Sequence, residues 1–100
     1  MEDQEEAREF VESHGLGGGP SEWVHDLQSE LGEVSKEILR ATDYGERPPE
    51  FDDDIEMELG DVYFSLLSLA NELDVDLSRA LAKVLEKYEE RTEETGSPGS

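Results

Sequence analysis

The chain has 100 residues, with 28 Asp and Glu against 8 Lys and Arg, a formal net charge of −20 and 34% hydrophobic residues. That length allows one small domain, and the charge argues against nucleic acid backbones and anionic membranes as partners by long-range repulsion, while phosphorylated ligands can still bind through a local cluster of cations or through metal ions. Zero cysteines remove disulfides, thiolate zinc sites and cysteine nucleophiles.

Twelve Leu, six Val, two Ile, three Phe and one Trp can fill a modest core. A mean hydropathy of −0.72 leaves little apolar surface to spare, so association with a second copy is expected. No run of about 18 apolar residues occurs, and Met1 is followed by Glu2, Asp3, Glu5 and Glu6 rather than by a basic, then greasy, stretch. A soluble, cytoplasmic protein is expected. Such acidity suits either a disordered segment or a folded surface adapted to high salt. The helical periodicity below favours the second, with only Lys36, Lys83 and Lys87 as lysines. A halophilic, haloarchaeal cytoplasm is the expected setting, and an ordinary acidic mesophile protein the alternative.

In chain order, a short first helix is predicted over about Gln4 to Ser13, with Phe10 and Val11 as its apolar contacts. The Gly15–Gly19 segment and Pro20 then break the chain. A second helix is predicted from Ser21 as N-cap to about Thr42, with Trp23, Leu27, Leu31, Val34 and Ile38 on one stripe. Gly45, Pro48 and Pro49 end it. The third is predicted to open within Asp52-Asp53-Asp54, where carboxylates suit the positive helix end, and to reach about Leu73. Its stripe is Ile55, Leu59, Val62, Leu66, Leu69 and Leu73. Val62 to Ala70 is apolar nearly all round, which implies burial on more than one side, the second side being another subunit. A fourth helix should start at Asp76 as cap and carry Leu77, Leu81, Val84 and Tyr88. No strand-like alternation occurs, so the fold class is all-α. One domain is expected over residues 1–94, with its core at 21–92 and a flexible tail at 95–100.

Two tetrapeptides carry the chemistry: Glu30-Leu31-Gly32-Glu33 and Glu58-Leu59-Gly60-Asp61, a quasi-repeat offset by 28 residues. Residues three apart on a helix share a face, so each motif projects two carboxylates together. Glu30 lies between Leu27 and Val34, and Glu58 between Ile55 and Val62, at the edge of the apolar stripes. Four acids converging on an interhelical groove repel one another and are desolvated unless cations neutralise them. Hard, oxygen-seeking Mg²⁺ or Mn²⁺ is the natural partner. An acidic chain also contains the spacing by chance, as in Glu6/Glu9 and Glu86/Glu89. The two chosen pairs differ by their placement on the stripe and by an internal glycine, which costs about 1 kcal/mol in a helix and suggests close approach of another helix or a ligand.

Lys83, Lys87 and Arg91 recur every fourth residue along the last helix, and Lys36 and Arg40 do so on the second. They read either as solvated partners of neighbouring Glu or as donors to phosphate oxygens beside the metal. His14 and His25 do not make the Glu-x-x-His pattern of di-iron bundles. The Asp triplet lacks the spacing of a calcium loop, and the glycine run lacks the Lys-Ser/Thr of a phosphate-binding loop. Trp23 reads as a core anchor more readily than as a base-stacking platform. Tyr63 and Asn71 could line a nucleotide pocket, and Asn71 could equally be an exposed polar residue near a helix end.

The doubled acidic motif, both glycines, the apolar third helix, Asp76-Leu-Ser-Arg-Ala-Leu and the basic last helix, in this order over residues 21 to 92, closely resemble the MazG-like nucleotide pyrophosphohydrolases. The resemblance implies an all-α nucleoside triphosphate pyrophosphohydrolase, a four-helix bundle completed as a homodimer or as a homotetrameric dimer of dimers. It would cleave (d)NTPs between the α and β phosphates to nucleoside monophosphate and pyrophosphate, in house-cleaning of the nucleotide pool. It further implies that Glu30, Glu33, Glu58 and Asp61 hold Mg²⁺, that Glu33 also orients the attacking water, and that Lys83, Lys87 and Arg91 neutralise the leaving pyrophosphate, with Lys36 an accessory phosphate contact. Where many members carry an Asn beside the last-helix lysine, this chain has Glu86 and Tyr88 flanking Lys87. A catalytically quiet dimeric module binding nucleotide or protein is the alternative, as is a purely structural acidic bundle.

Overall fold

The computed structural model describes residues 2–48 and 53–98. These form four helices, α1 Glu2–Ser13, α2 Pro20–Ala41, α3 Asp53–Glu72 and α4 Leu77–Thr95, with no strand among the described residues. The all-α expectation holds, and the helix ends show which local signals decided them.

At the start of α2 the cap is Gly19, not Ser21, and Pro20 takes the first helical position. Proline's fixed φ and missing N–H suit that position, which moves the start upstream and leaves Ser21 inside the helix. Beyond Ala41, the Thr42 hydroxyl donates to the Ile38 carbonyl at 2.8 Å and accepts from the Gly45 N–H at 3.0 Å. The chain then turns through left-handed backbone at Asp43, Tyr44 and Gly45, a conformation for which Gly45 alone has no steric penalty. Pro49 and Asp52 lie outside the described residues. Asp53, Asp54 and Glu56 fill the first turn of α3, at the positive end of its dipole. Asp76 caps α4 as predicted, its side chain accepting from the N–H groups of Ser78 at 2.9 Å and Arg79 at 3.2 Å. Gly96, at φ 79°, closes that helix in the left-handed conformation.

α3 is the central element, packed against α2 on one side and α1 on the other. Phe64 of α3 meets Trp23 of α2 edge-on at 5.8 Å between ring centroids and Phe10 of α1 at 5.9 Å. Aromatic pairs favour this arrangement because the ring edge is positive and the face negative. Gln4 ties α1 to the α3–α4 turn. Its side-chain amide donates to the Val75 carbonyl at 2.8 Å and to Asn71 Oδ1 at 3.2 Å, and its oxygen accepts from the Leu77 N–H at 2.7 Å. Asn71 returns a bond from Nδ2 to the Gln4 carbonyl at 3.0 Å. Tyr63 donates to Asp3 Oδ2 at 2.6 Å, adding a second tie between α1 and α3.

Because α3 packs against two helices, its buried residues are Ile55, from the predicted stripe, and Ser65, Leu67, Ser68 and Ala70, which lie off it, while Val62 and Leu69 are half-buried. Leu59, Leu66 and Leu73 are exposed, as is Leu31 on α2. α4 has no buried residue; Leu81 is 58% and Leu85 56% exposed. One chain alone therefore packs three helices and leaves the fourth standing off. The radius of gyration, 16.5 Å, exceeds the about 13 Å usual for a compact chain of this length.

Candidate active site

The antiparallel pair α2 and α3 carries one acidic motif each. Of the four predicted carboxylates, Glu30, Glu58 and Asp61 converge, with one oxygen from each within 4.8 Å of the others. Glu30 and Glu58 are half-buried and Asp61 is exposed, so the group sits at the mouth of the interhelical groove. Glu33 is not among the three. It lies one turn beyond Glu30, exposed, yet close enough that its charge acts on both Glu30 and Glu58.

Desolvation is the main influence on both half-buried acids and raises the pKa of each. Negative neighbours act in the same direction: Asp61, Glu33 and Asp26 on Glu30, and Glu30, Asp61, Glu33 and Glu37 on Glu58. A hydrogen bond with Asp61 raises Glu30 further. Oxygen Oε2 of Glu58 is buried and has no hydrogen-bond partner, a condition that costs about 1–3 kcal/mol and more for a charge. Convergent hard oxygens, mutual repulsion and an orphaned buried carboxylate oxygen together fit a divalent cation with oxygen preference.

Glu37 is a participant that the motif reading missed. It stands one turn after Glu33 on α2, adds to the negative field at Glu58, and approaches Arg40 at 3.6 Å. The signal available was its i, i+4 spacing from Glu33, which was hidden among the chain's many glutamates. The two motif glycines face open space: a Cβ at Gly32 or at Gly60 would meet nothing within 4 Å. The close approach expected at these glycines is thus not made within the chain.

Among the described residues, none of the predicted cations forms an ion pair with the three carboxylates. Lys36 and Arg40 line a shallow groove with Gly32 and Tyr44 on the outer side of α2. Lys83, Lys87 and Arg91 ride on α4, which makes no extensive contact with α2 or α3. Lys87 lies over the neighbouring Tyr88 ring at 5.2 Å, a cation–π contact. No helix among the described residues is long and apolar enough to cross a membrane.

The model of the MazG nucleotide pyrophosphohydrolase domain matches residues 19–95, which includes both motifs and α4. The fold is similar to the crystal structure of the Bacillus-conserved MazG protein, a nucleotide pyrophosphohydrolase, with 31% identity, TM-score 0.73, and 87% of this chain and 85% of that chain covered. It is also similar to the putative pyrophosphatase YPJD from Bacillus subtilis, with 35% identity, TM-score 0.74, and 87% and 91% covered. Among curated proteins, none matches this chain by sequence. The chain belongs to the MazG nucleotide pyrophosphohydrolase family and is an enzyme of the hydrolase class.

Proposed function

We propose that the protein is a Mg²⁺-dependent pyrophosphohydrolase of nucleoside triphosphates, which cleaves between the α and β phosphates to release nucleoside monophosphate and pyrophosphate. The convergence of Glu30, Glu58 and Asp61 at the groove mouth carries this reading. These three carboxylates, with Glu33 from the rim, are the residues that would hold the cation. Bound Mg²⁺, or Mn²⁺ in its place, supplies charge neutralisation of phosphate oxygens and a more acidic water. Glu33 is exposed and lies outside the tight group of three, and is free to turn toward a water and take its proton.

Positive charge on the departing pyrophosphate side is the role of Lys83, Lys87 and Arg91, with Lys36 as an accessory contact. Because α4 stands off within one chain, a homodimer or dimer of dimers is the assembly that brings a cationic helix to a groove. The exposed Leu81 and Leu85 on α4 support that assembly. The charge of −20 supports work in molar salt within a cytoplasm, and the reaction is one of nucleotide-pool house-cleaning.

The test is pyrophosphate release from a panel of NTPs and dNTPs, with and without Mg²⁺, in low and molar KCl. Metal-dependent release, lost in Glu58→Gln with helical content intact, is the expected result. No release under any condition from a folded protein would overturn the catalytic reading in favour of a binding module.

A further inference from the structure

The α2–α3 pair has two faces that differ in charge. Along a helix the next residue is turned by about 100°, and the third residue on by about 60° in the opposite sense. In an antiparallel pair, equal turns bring side chains to the same side of the layer. Leu31 and Leu59 each follow one step after a carboxylate of the convergent group, Glu30 and Glu58, and so share one side; Glu33 and Asp61 each follow three steps after and share the other. Val24 lies seven residues before Leu31, and Leu66 and Leu73 continue from Leu59 at steps of seven, which keeps all five on the side of Leu31. All five are exposed, Leu31 to 55% and Leu59 to 53%.

Charge avoids this side. The five carboxylates of α2, Glu22, Asp26, Glu30, Glu33 and Glu37, follow a single stripe at steps of 4, 4, 3 and 4, turned away from Val24 and Leu31. On α3 the ten residues from Val62 to Asn71 hold no Asp, Glu, Lys or Arg, the longest such run in the chain. Glu56, one turn before Leu59, stands at the rim. Neither remaining helix covers the leucines. α1 docks on α3 through Phe10 and Asp3, leaving a separate half-open cavity of about 430 Å³ with Arg8, Glu12 and Trp23 among its walls, and α4 makes no extensive contact with α2 or α3. A contiguous apolar face on so acidic a surface marks an interaction site.

We infer that a second copy of the chain packs on this leucine face, with α2 and α3 of each copy meeting those of its partner about a two-fold axis and both acidic faces turned outward. The inference rests on the homodimer of the proposed function and adds the face through which it forms. Two chains of charge −20 repel wherever carboxylates meet, and this is the side from which carboxylates are withdrawn. A two-fold axis sets the same stripe opposite itself, and apolar residues at every seventh position are the seam of helices that pair along their length. The size fits as well. Two helices about 30 Å long, with axes about 10 Å apart, present a face on the order of 600 Å², near the roughly 800 Å² per partner of a stable interface. This arrangement keeps the two groups of carboxylates apart and open to metal and substrate.

The chain has no cysteine, so single cysteines report the face without background. Leu31→Cys, Leu59→Cys and Leu66→Cys are each treated with a short bismaleimide, beside Ser29→Cys, which lies one step before Glu30 and thus on the acidic side. The expected result is a cross-linked dimer at one or more of the leucine positions and none at Ser29→Cys. Leu59→Glu, at a position already more than half exposed in a single chain, should raise the dimer Kd at least about tenfold in sedimentation, with circular dichroism unchanged. Cross-linking at none of the leucine positions in a protein that sediments as a dimer, or a Leu59→Glu protein that dimerises as tightly as its parent, overturns the leucine face and leaves a homodimer formed elsewhere. A parent protein that is monomeric at every concentration overturns the face and the homodimer together. No nucleotide enters these measurements, so the hydrolytic reading stands or falls separately.

Discussion

Glu30 on α2 and Asp61 on α3 share a hydrogen bond while their charges repel, and both effects hold the Glu30 carboxyl above its ordinary pKa. Two acids so placed store repulsion that a divalent ion relieves. Mg²⁺ should therefore stabilise the folded chain by mass action, about 2.7 kcal/mol at a hundredfold excess over Kd. Thermal melting with EDTA against millimolar MgCl₂ reads this, and Glu58→Gln should show a smaller shift. An equal shift in both proteins would place the binding elsewhere.

Glu58→Gln removes a charge from the same group and keeps the side chain's shape. Pyrophosphate release should fall on the order of 10²- to 10³-fold, the usual cost of losing one electrostatic partner in a charged transition state. Far-ultraviolet circular dichroism should stay unchanged. Turnover equal to that of the parent protein would dismiss Glu58 from the centre.

A raised carboxylate pKa has a definite consequence for stability. The folded state binds protons at Glu30 and Glu58 more tightly than the unfolded state does, so their contribution is fully present below the unfolded pKa of about 4.3. It is lost as pH rises through the higher folded values. Without metal, the parent protein should lose stability relative to Glu58→Gln as pH rises above the ordinary carboxylate range. The difference in melting temperature between the two proteins, followed against pH, measures this. A gap that does not change with pH would contradict it.

Gln4 is buried and makes side-chain bonds to Asn71, Val75 and Leu77. Gln4→Ala leaves the Val75 carbonyl and the Leu77 N–H without that partner and should cost about 2–3 kcal/mol. A loss of about 10 °C in melting temperature is the expected size for a domain of this length. The hydrogen exchange of α1 should rise more than that of α2, because the bonds lost belong to the α1 dock. Uniform acceleration across the chain would argue against a local dock.

Leu81 and Leu85 lie exposed on the α4 face. Leu81→Asp should shift the sedimentation coefficient toward a monomer, while the parent protein sediments as a dimer or larger. A parent protein that is monomeric at all concentrations would remove the interface assigned to α4.

The doubled acidic motif, the helix count and the Asp76 cap were legible because each rests on a local rule of spacing or capping. The buried face of α3 was not. A single stripe read at helical period assumes one packing partner, whereas α3 has α2 on one side and α1 on the other, so Leu59 faces outward and Ser65 and Ser68 inward. Gln4 escaped notice for a similar reason: a polar residue in a polar helix gives no periodic signal, and its partners are more than sixty residues away. The convergence of Glu30 with Glu58 and Asp61 could be expected from the repeat; the position of Glu33 outside the tight group depends on the rotation of α2 against α3, which no local pattern encodes.

The docking of α1 by Gln4 bears on how such a protein diversifies. Arg8 and Glu12 on α1 help wall the cavity, yet α1 precedes the stretch matched by the family's model, which begins at residue 19. The carboxylates lie wholly within that stretch. The cavity wall and the three convergent carboxylates thus draw partly on separate portions of the chain, joined through the Gln4 bonds, the Tyr63–Asp3 bond and the Phe10–Phe64 contact. Exchanging the leading eighteen residues becomes a way to reshape that cavity wall while leaving both acidic motifs in place.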